Sequence, residues 1–441
     1  MAAKASTAAG LGQPGRQDEA GPQAPYARGV KLLGARAIDP RGRADRSTLF
    51  WRGRRFRDVD EAGPDTLVLN VAEHLAFPAL INAHDHLHLN AFPAQDYGVG
   101  PAPPFGNVSE WVDVMRLRID SSELRAVRQI DAGIRAWQGG LKNLLAGATV
   151  VLHHDPRLPQ MASPSFPVAV PGRPWAHSLA LAGSYGPPLA AAMAKESLGG
   201  LTGRVLPFFL HFAEGRDSAA AAEWWRAEAL GLAASQLRLV HGLGIRPADR
   251  REAPRHGAGQ VVCPVSSQRL FGHLPAVRDL ARHGRVALGT DSRLTGARDL
   301  LAELGFAFSV GLADATTLWR MVGPDAARLC GLHRHGSLRP GMAADLILVH
   351  DDGRVPTEQL CSLTRSKLRL VVRGGRPVVA DPHFADLFAA CGVPVRRAWV
   401  DGHPKLIACD LVAPLVGQGI EEPGLKLGGE LSVHAVSGRR P

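Results

Sequence analysis

Between about residues 78 and 335 one pattern recurs: a short apolar run, a polar end, then an Ala/Leu/Arg stretch of helical period. The runs are FPALINAHDHLH, ATVVLHHD, AHSLALAGS, VLPFFLHFAE, LRLVHG, QVVCP and RVALGTD. Short apolar runs without alternation suit strands buried on both faces. The intervening stretches, such as SELRAVRQIDAGIRAWQGGLKNLLAG and AVRDLARHG, can lay an apolar stripe on a sheet. Strand–helix alternation sustained over about 250 residues predicts an α/β protein built on a parallel (β/α) barrel. Both flanks have a different texture, in which β-like runs alternate with turn residues: KLLGARAID, STLFWRG and TLVLNV before it, ADLILVHDDG and LRLVVRGGRPVVAD after it.

Composition removes several function classes. The formal charge of +10 invites a nucleic-acid reading, but the 51 cationic residues are spread along the chain among 41 acids. A nucleic-acid face concentrates its charge in a patch interleaved with aromatics, so none is expected. The five cysteines (263, 330, 361, 391 and 409) are odd in number and form no CxxC pair, which suits reduced thiols and a cytoplasmic location. No apolar leader core and no run of 18 apolar residues occurs, so neither a signal peptide nor a membrane span is expected. No Lys follows a Gly, so there is no P-loop, and GxSxG, HExxH and PCxxC are missing too. Gly10-x-Gly12-x-x-Gly15 lies in a tail (1–24) too poor in apolar residues to order itself, so it is no dinucleotide fingerprint.

The chemistry gathers at the ends of the apolar runs. The first ends His84-Asp85-His86-Leu87-His88, a later one His211-Phe212-Ala213-Glu214, the next His241-Gly242, and the last Thr290-Asp291-Ser292. Residues two apart on a strand share a face, so His84 and His86 can aim at one ion. In a parallel barrel all these ends lie on the C-terminal face, where active sites form. Neutral imidazoles with a carboxylate suit zinc, iron or manganese. A buried His is more often a hydrogen-bonded core residue than a ligand, but successive strand ends carrying such groups together are hard to ascribe to chance. His88 is expected one layer outward from His84 and His86, as a substrate contact. His153-His154-Asp155 ends another run, with His154 either facing the cavity toward substrate or hydrogen-bonded to Asp155. Arg293, two past Asp291, is the remaining candidate for a substrate anion or carbonyl.

These residues resemble the amidohydrolase superfamily of metal-dependent hydrolases, and within it the cytosine-deaminase-like and chlorohydrolase (triazine hydrolase) branch. The resemblance runs from about Val30 to Val378, on PALINAHDHLH, LHFAE, LVHGLGI, VVCPVSSQRL, VALGTDS and GSLRPGMAADLILV. It implies a distorted TIM (β/α)8-type barrel over 73–339. It also implies a small composite β-sandwich built from 25–72 plus 340–410, leaving 411–441 as a C-terminal extension. His84, His86, His211 and Asp291 would bind one divalent metal, most naturally zinc. Glu214 would shuttle protons, His241 would orient water or a substrate carbonyl, and Asp291 would also accept a proton. The deaminase branch often carries a His beside the Cys-Pro pair, where this chain has Val261-Val262, and no strand-end Lys is in place to bridge two metals.

The function expected is hydrolysis of a C–N bond in a small cyclic or amide-like molecule through a metal-activated water. Displacement of another leaving group such as halide is the alternative, and a scaffold that has lost its chemistry is a third reading. A small-molecule substrate is the expected partner, with no nucleic acid or membrane, and homodimers are common in the superfamily it resembles.

Overall fold

The computed structural model describes residues 28–95, 105–178, 206–229, 236–252 and 258–431. The tail expected at 1–24, the prolines at 101–104, the end of the AHSLALAGS run and residues 432–441 lie outside them. The N-terminal flank forms β1 (Gly29–Ile38), β2 (Ala44–Arg52), β3 (Arg55–Phe56), β4 (Leu67–Asn70) and β5 (His74–Pro78). The middle of the chain supplies β6 (Leu80–Asp85), β7 (Ala148–His153), β8 (Trp175–Ser178), β9 (Phe208–Phe212), β10 (Leu237–His241), β11 (Gly259–Val262) and β12 (Val286–Leu288). The C-terminal flank adds β13 (Leu346–His350), β14 (Leu368–Arg373), β15 (Arg376–Ala380), β16 (Val395–Val400), β17 (His403–Ala408) and β18 (Leu425–Leu431).

The two flanks share one eleven-stranded sheet in the order β18-β16-β17-β15-β14-β13-β5-β1-β2-β3, with β4 beside β1. Its seam is β13 against β5, antiparallel, with Leu346 opposite Pro78 and Leu348 opposite Ala76. LILVH is apolar enough to be covered on both sides, and Leu346 to Val349 are buried. All eleven strands belong to one continuous ladder. It also takes in residues assigned to the C-terminal extension, because β18 pairs with β16, Val400 opposite Leu425.

Strands β8 to β12 form a parallel sheet in the order β12-β11-β10-β9-β8, and β6 pairs with β7 in a second parallel ladder. Eight strands in a closed ring are expected; among the described residues there are seven, in two ladders. A single bridge, Asp85 to Asp291, spans the first break; at the second, Val150 bridges only Ala169, within the connection that leads to β8. The second break has a sequence cause. Between β7 and β8 stand Pro156, Pro159, Pro164, Pro167, Pro171 and Pro174, none of which can donate to a ladder. All seven strands nevertheless share an interior. Ile81, Ala83, Val150, Leu152, Phe209, Val240, Val261 and Ala287 form one buried cluster, with Trp175 packed against it.

Two local features set the site. In β6, Asn82 pairs with Val151 but Asp85 with His153, so β6 carries one extra residue. Such a bulge reverses the side-chain alternation. His84 and His86 therefore fall on the face that Ala83 already occupies, and Asp85 turns away toward the helix Ala132–Leu145. That helix starts at Asp131, whose carboxylate accepts from Gly133 N and Ile134 N. Gly139 lets it approach the turn after β6, where an added Cβ would stand 2.1 Å from Leu87 O.

The β5–β13 seam gives a direct test. Leu348→Ala should destabilise the protein by about 2–5 kcal/mol, the usual cost of emptying a fully buried leucine site. Chemical denaturation would measure it; a loss below about 1 kcal/mol would mean the seam does not hold the flanks together.

Candidate metal centre

Four side chains from the ends of three strands, β6, β9 and β12, converge. His84 Nε2 lies 3.2 Å from His211 Nε2. Asp291 Oδ1 stands 3.9 Å from His84 Nε2 and 3.7 Å from His86 Nε2. Two nitrogens bound to one zinc at about 2.0–2.1 Å, at a tetrahedral angle, sit roughly 3.3 Å apart. The pair His84–His211 has this spacing, and all four residues are buried. When both rings carry their proton on Nδ1, the two Nε2 lone pairs meet between the rings, and three imidazoles with a carboxylate are a donor set that fits a divalent metal.

Protonation follows burial. Loss of solvent, then the charge of neighbouring histidines, pushes His84 and His211 well below the ordinary histidine range, which keeps their lone pairs free. Burial lowers His86 as well, but Asp155 overrides it. His86 Nδ1 donates to Asp155 Oδ2 at 2.5 Å, and with Asp291 and Asp85 nearby the imidazole is held up to about 9. Asp155 thereby fixes the tautomer that leaves Nε2 facing Asp291, as carboxylate partners of metal-bound histidines do. The His154–Asp155 hydrogen bond offered by the sequence is not the one formed.

Asp291 is oriented as tightly. Its Oδ2 accepts from Ser266 Oγ at 2.8 Å and from Thr295 Oγ1 at 2.7 Å, leaving Oδ1 toward the histidines. Ser266 stands on the helix Pro264–Phe271 directly after the Cys-Pro pair. At Gly289 a Cβ would come within 2.7 Å of His84 Cβ, so only glycine allows β12 this close to β6.

Glu214 and His241 complete the constellation through unusual backbone. Three of the four non-glycine residues with positive φ among the described residues are here: Ala213 (48°), His241 (69°) and Asp291 (58°). Strain of this kind concentrates at functional sites. The chain turns out of β9 at Ala213, whose N–H donates to the buried Glu223 carboxylate at 2.9 Å. Glu214 then lies buried, with Oε1 3.5 Å from His241 Nε2, while Arg216 is exposed. Burial, then Asp291, pushes Glu214 well above the usual carboxylate range, against the pull of His86. Burial likewise lowers His241 to about 4. The His241 carbonyl accepts from Gln260 Nε2 at 2.8 Å, and its Nδ1 is buried without a hydrogen-bond partner.

The three candidates for substrate contact fare differently. His88 is not one layer further along β6, because the strand ends at Asp85 and a short 3-10 turn, Leu87–Leu89, follows. Its Nδ1 lies 3.8 Å from Asp155 Oδ2, with the side chain partly exposed. His154 is buried, its ring stacked on His211 with centroids 4.1 Å apart. Arg293 is already engaged: Nη2 donates to Glu422 at 2.9 Å and Nη1 to Asn90 O at 3.2 Å. Arg293 thus spends two of its nitrogens on Glu422 and Asn90, with Nε left without a hydrogen-bond partner. Asp155, Ser266 and Thr295 went unassigned because their work is to aim other ligands, which leaves no pattern in the sequence.

Residues 208–386 match the model of the amidohydrolase family. No curated protein matches the chain. The fold is similar to that of atrazine chlorohydrolase from Arthrobacter aurescens TC1 complexed with zinc, at 18% identity over 82% of this chain and 100% of that one, TM-score 0.63. It is also similar to an adenosine deaminase from Xanthomonas campestris with bound zinc, at 17% identity over 81% and 93%, TM-score 0.60. A third similar structure is N-isopropylammelide isopropylaminohydrolase from Burkholderia multivorans, at 21% identity over 80% and 98%, TM-score 0.56.

If Asp155 aims His86, Asp155→Asn should weaken zinc binding by roughly 10–100-fold, as loss of a partner to a metal-bound histidine does. Competition with a chromophoric chelator measures it, and a change under about twofold would remove Asp155 from the centre.

Proposed function

Because residues 208–386 belong to the amidohydrolase family, we propose that this protein is a metal-dependent hydrolase cleaving a C–N bond in a small cyclic or amide-like substrate. The match to that family supports a hydrolase of carbon–nitrogen bonds other than peptide bonds. The observation that carries the finer reading is the convergence of His84, His86, His211 and Asp291 beside a buried Glu214–His241 pair. His84, His86, His211 and Asp291 would hold one divalent ion, with zinc favoured by the zinc-bound chlorohydrolase and deaminase of similar fold. The ion would supply Lewis acidity and lower the pKa of water beside it.

The chain's own groups do the rest. Asp291 keeps Oδ2 on Ser266 and Thr295 and offers Oδ1 as the acceptor for a proton from water. Glu214, whose burial favours the protonated form, is suited to deliver a proton to a departing amine, and the emptied carboxylate can take the next one. His241 stands against Glu214 and, with an unpartnered Nδ1, is suited to orient a substrate carbonyl or the attacking water. Displacement of a halide by the same groups is the second reading. It is favoured by Val261-Val262 at the end of β11, where the deaminase branch often has a His, and by the likeness to a chlorohydrolase. A cytoplasmic protein fits its five unpaired cysteines, and a homodimer remains part of the proposal. Among the described residues no helix is long and apolar enough to cross a membrane.

Metal analysis should find about one divalent ion per chain, and chelation should abolish turnover that zinc restores. Two tightly held ions, or none after supplementation, would overturn the centre as drawn. Screening aminated heterocycles and cyclic amides for ammonia release or ring opening supplies the substrate. On it Glu214→Gln should keep metal and KM near normal while kcat falls by roughly 10²–10⁴. Halide is a leaving group that needs no proton. A Gln variant that still dehalogenates well while losing C–N cleavage would support the second reading, and undiminished C–N turnover would remove Glu214 from the mechanism.

A further inference from the structure

We propose that the cavity between the β1–β2 hairpin turn and the helices Ala315–Val322 and Pro324–Leu329 binds the phosphate group of a small molecule. The inference is independent of the hydrolytic reading. The cavity holds about 430 Å³, within the usual size of small-molecule sites, and Arg41, Arg320 and Arg328 line it with Asp325 as the one acid. It lies at the opposite end of β12 from the metal centre. Arg328 Nη2 donates to the carbonyl of Gly284, just ahead of that strand, whereas Asp291 follows it.

The positive charge of this wall is incompletely answered. Asp325 is buried and takes both Arg320 Nη2 and Arg328 Nη2, each at 3.0 Å, so one carboxylate serves two guanidiniums. Arg41 is exposed, and among the described residues its guanidinium has no hydrogen-bond or ion-pair partner. Three like charges around one hollow repel one another, and a bound dianion relieves that repulsion. Arg320 and Arg328 use only Nη2 in these contacts, so Nε and Nη1 of each remain as donors. Such planar forks match two oxygens of an oxyanion at once. The Thr316 hydroxyl adds a further donor on the same wall.

The hairpin that carries Arg41 is held in place. Asp39 Oδ1 accepts from the backbone N–H of Arg41 at 2.8 Å and of Arg43 at 2.9 Å. The Asp39 carbonyl accepts from Trp319 Nε1 at 3.2 Å, which pins the turn to the helix Ala315–Val322. Gly42, at φ 84°, packs so closely that an added Cβ would stand 3.0 Å from Thr357 Cγ2 and 3.1 Å from Thr316 Cγ2. The backbone under all three arginines is therefore set before a ligand arrives, which lowers the entropic cost of binding. Volume decides between the sources of such an anion. A bare phosphate fills only a small part of the space, so the cavity favours a phosphate carried by a larger molecule of nucleoside monophosphate size.

The test titrates the full-length protein, in phosphate-free buffer, with inorganic phosphate, pyrophosphate and AMP by calorimetry. Binding that weakens as salt rises is expected, with AMP the tightest. Pyrophosphate binding tighter than AMP would keep the anion site and overturn the larger occupant. Arg41→Ala removes an exposed side chain, and an unchanged melting temperature shows that the fold is kept. It should weaken binding about tenfold or more, the worth of one charge-assisted hydrogen bond, and Arg320→Ala should do the same. Zinc content should stay the same in both. His211→Ala should bind the anion as the unaltered protein does; loss of binding there would place the anion at the metal centre and overturn the proposal. No detectable binding of any of the three probes, or affinities within about twofold in both arginine variants, would overturn it as well.

Discussion

Asp85 lies between the two strand-end histidines with its side chain turned the opposite way, and five neighbours converge on it. Its Oδ2 accepts from Lys142 Nζ and Asn82 Nδ2, each at 3.1 Å, from Asn143 Nδ2 at 2.8 Å and from Thr290 Oγ1 at 3.1 Å. Its Oδ1 accepts from Asn90 Nδ2 at 2.6 Å. These partners come from β6, the helix Ala132–Leu145, the turn after β6 and the segment after β12. They therefore meet where the parallel ladder is interrupted and only the Asp85–Asp291 bridge spans the gap. Taking Asp85 and Lys142 out of water is costly, and such a pair adds little to stability over apolar packing; breaking it would strand a buried charge at about 3–5 kcal/mol. Its value here is registry. Asn82 Oδ1 also accepts from Thr290 N at 3.1 Å, and the His84 carbonyl accepts from Asp291 N at 3.1 Å. The segments that carry His84 and Asp291 are thus held together by backbone and side-chain bonds.

The same economy governs the C-terminal segment. Glu422 is buried and accepts from Arg293, from Gln138 Nε2 at 2.5 Å and from Arg365 Nη1 at 2.5 Å. Arg293 in turn donates its backbone N–H to Asn90 Oδ1 at 3.0 Å, so a residue near the chain's end is tied to the turn that follows His86. The eleven-stranded sheet and the site are in this way one mechanical unit. Arg293, which the sequence offers as a substrate contact from its position after Asp291, also links Glu422 to Asn90.

Much of the side-chain cluster was legible because metal-binding residue types leave short, strand-phased marks. His84, His86, His211, Glu214, His241 and Asp291 sit at the ends of apolar runs, and β6, β9, β10 and β12 end at or just before those marks. What the sequence concealed lies in phase and partner. Alternation alone gives no sign that β6 carries an extra residue, that the chain turns at Ala213 before Gly215, or that His88 has left the strand. Asp155 was visible as a residue beside His154, yet its partner is His86, 69 positions earlier.

From its sequence alone the chain determined the alternation of buried parallel strands with helices, the flanking β texture and the residue types at the strand ends. These follow from local periodicity and from the chemistry of single side chains, which need no knowledge of what lies opposite. Only the tertiary structure decided that the ladder runs in two pieces, that both flanks and β18 join one sheet, and which carboxylate answers which imidazole. Each of those depends on contacts between residues tens to hundreds of positions apart. Proline-poor or proline-rich connections, a one-residue bulge and left-handed turns set such contacts, and hydrophobic patterning carries no information about them.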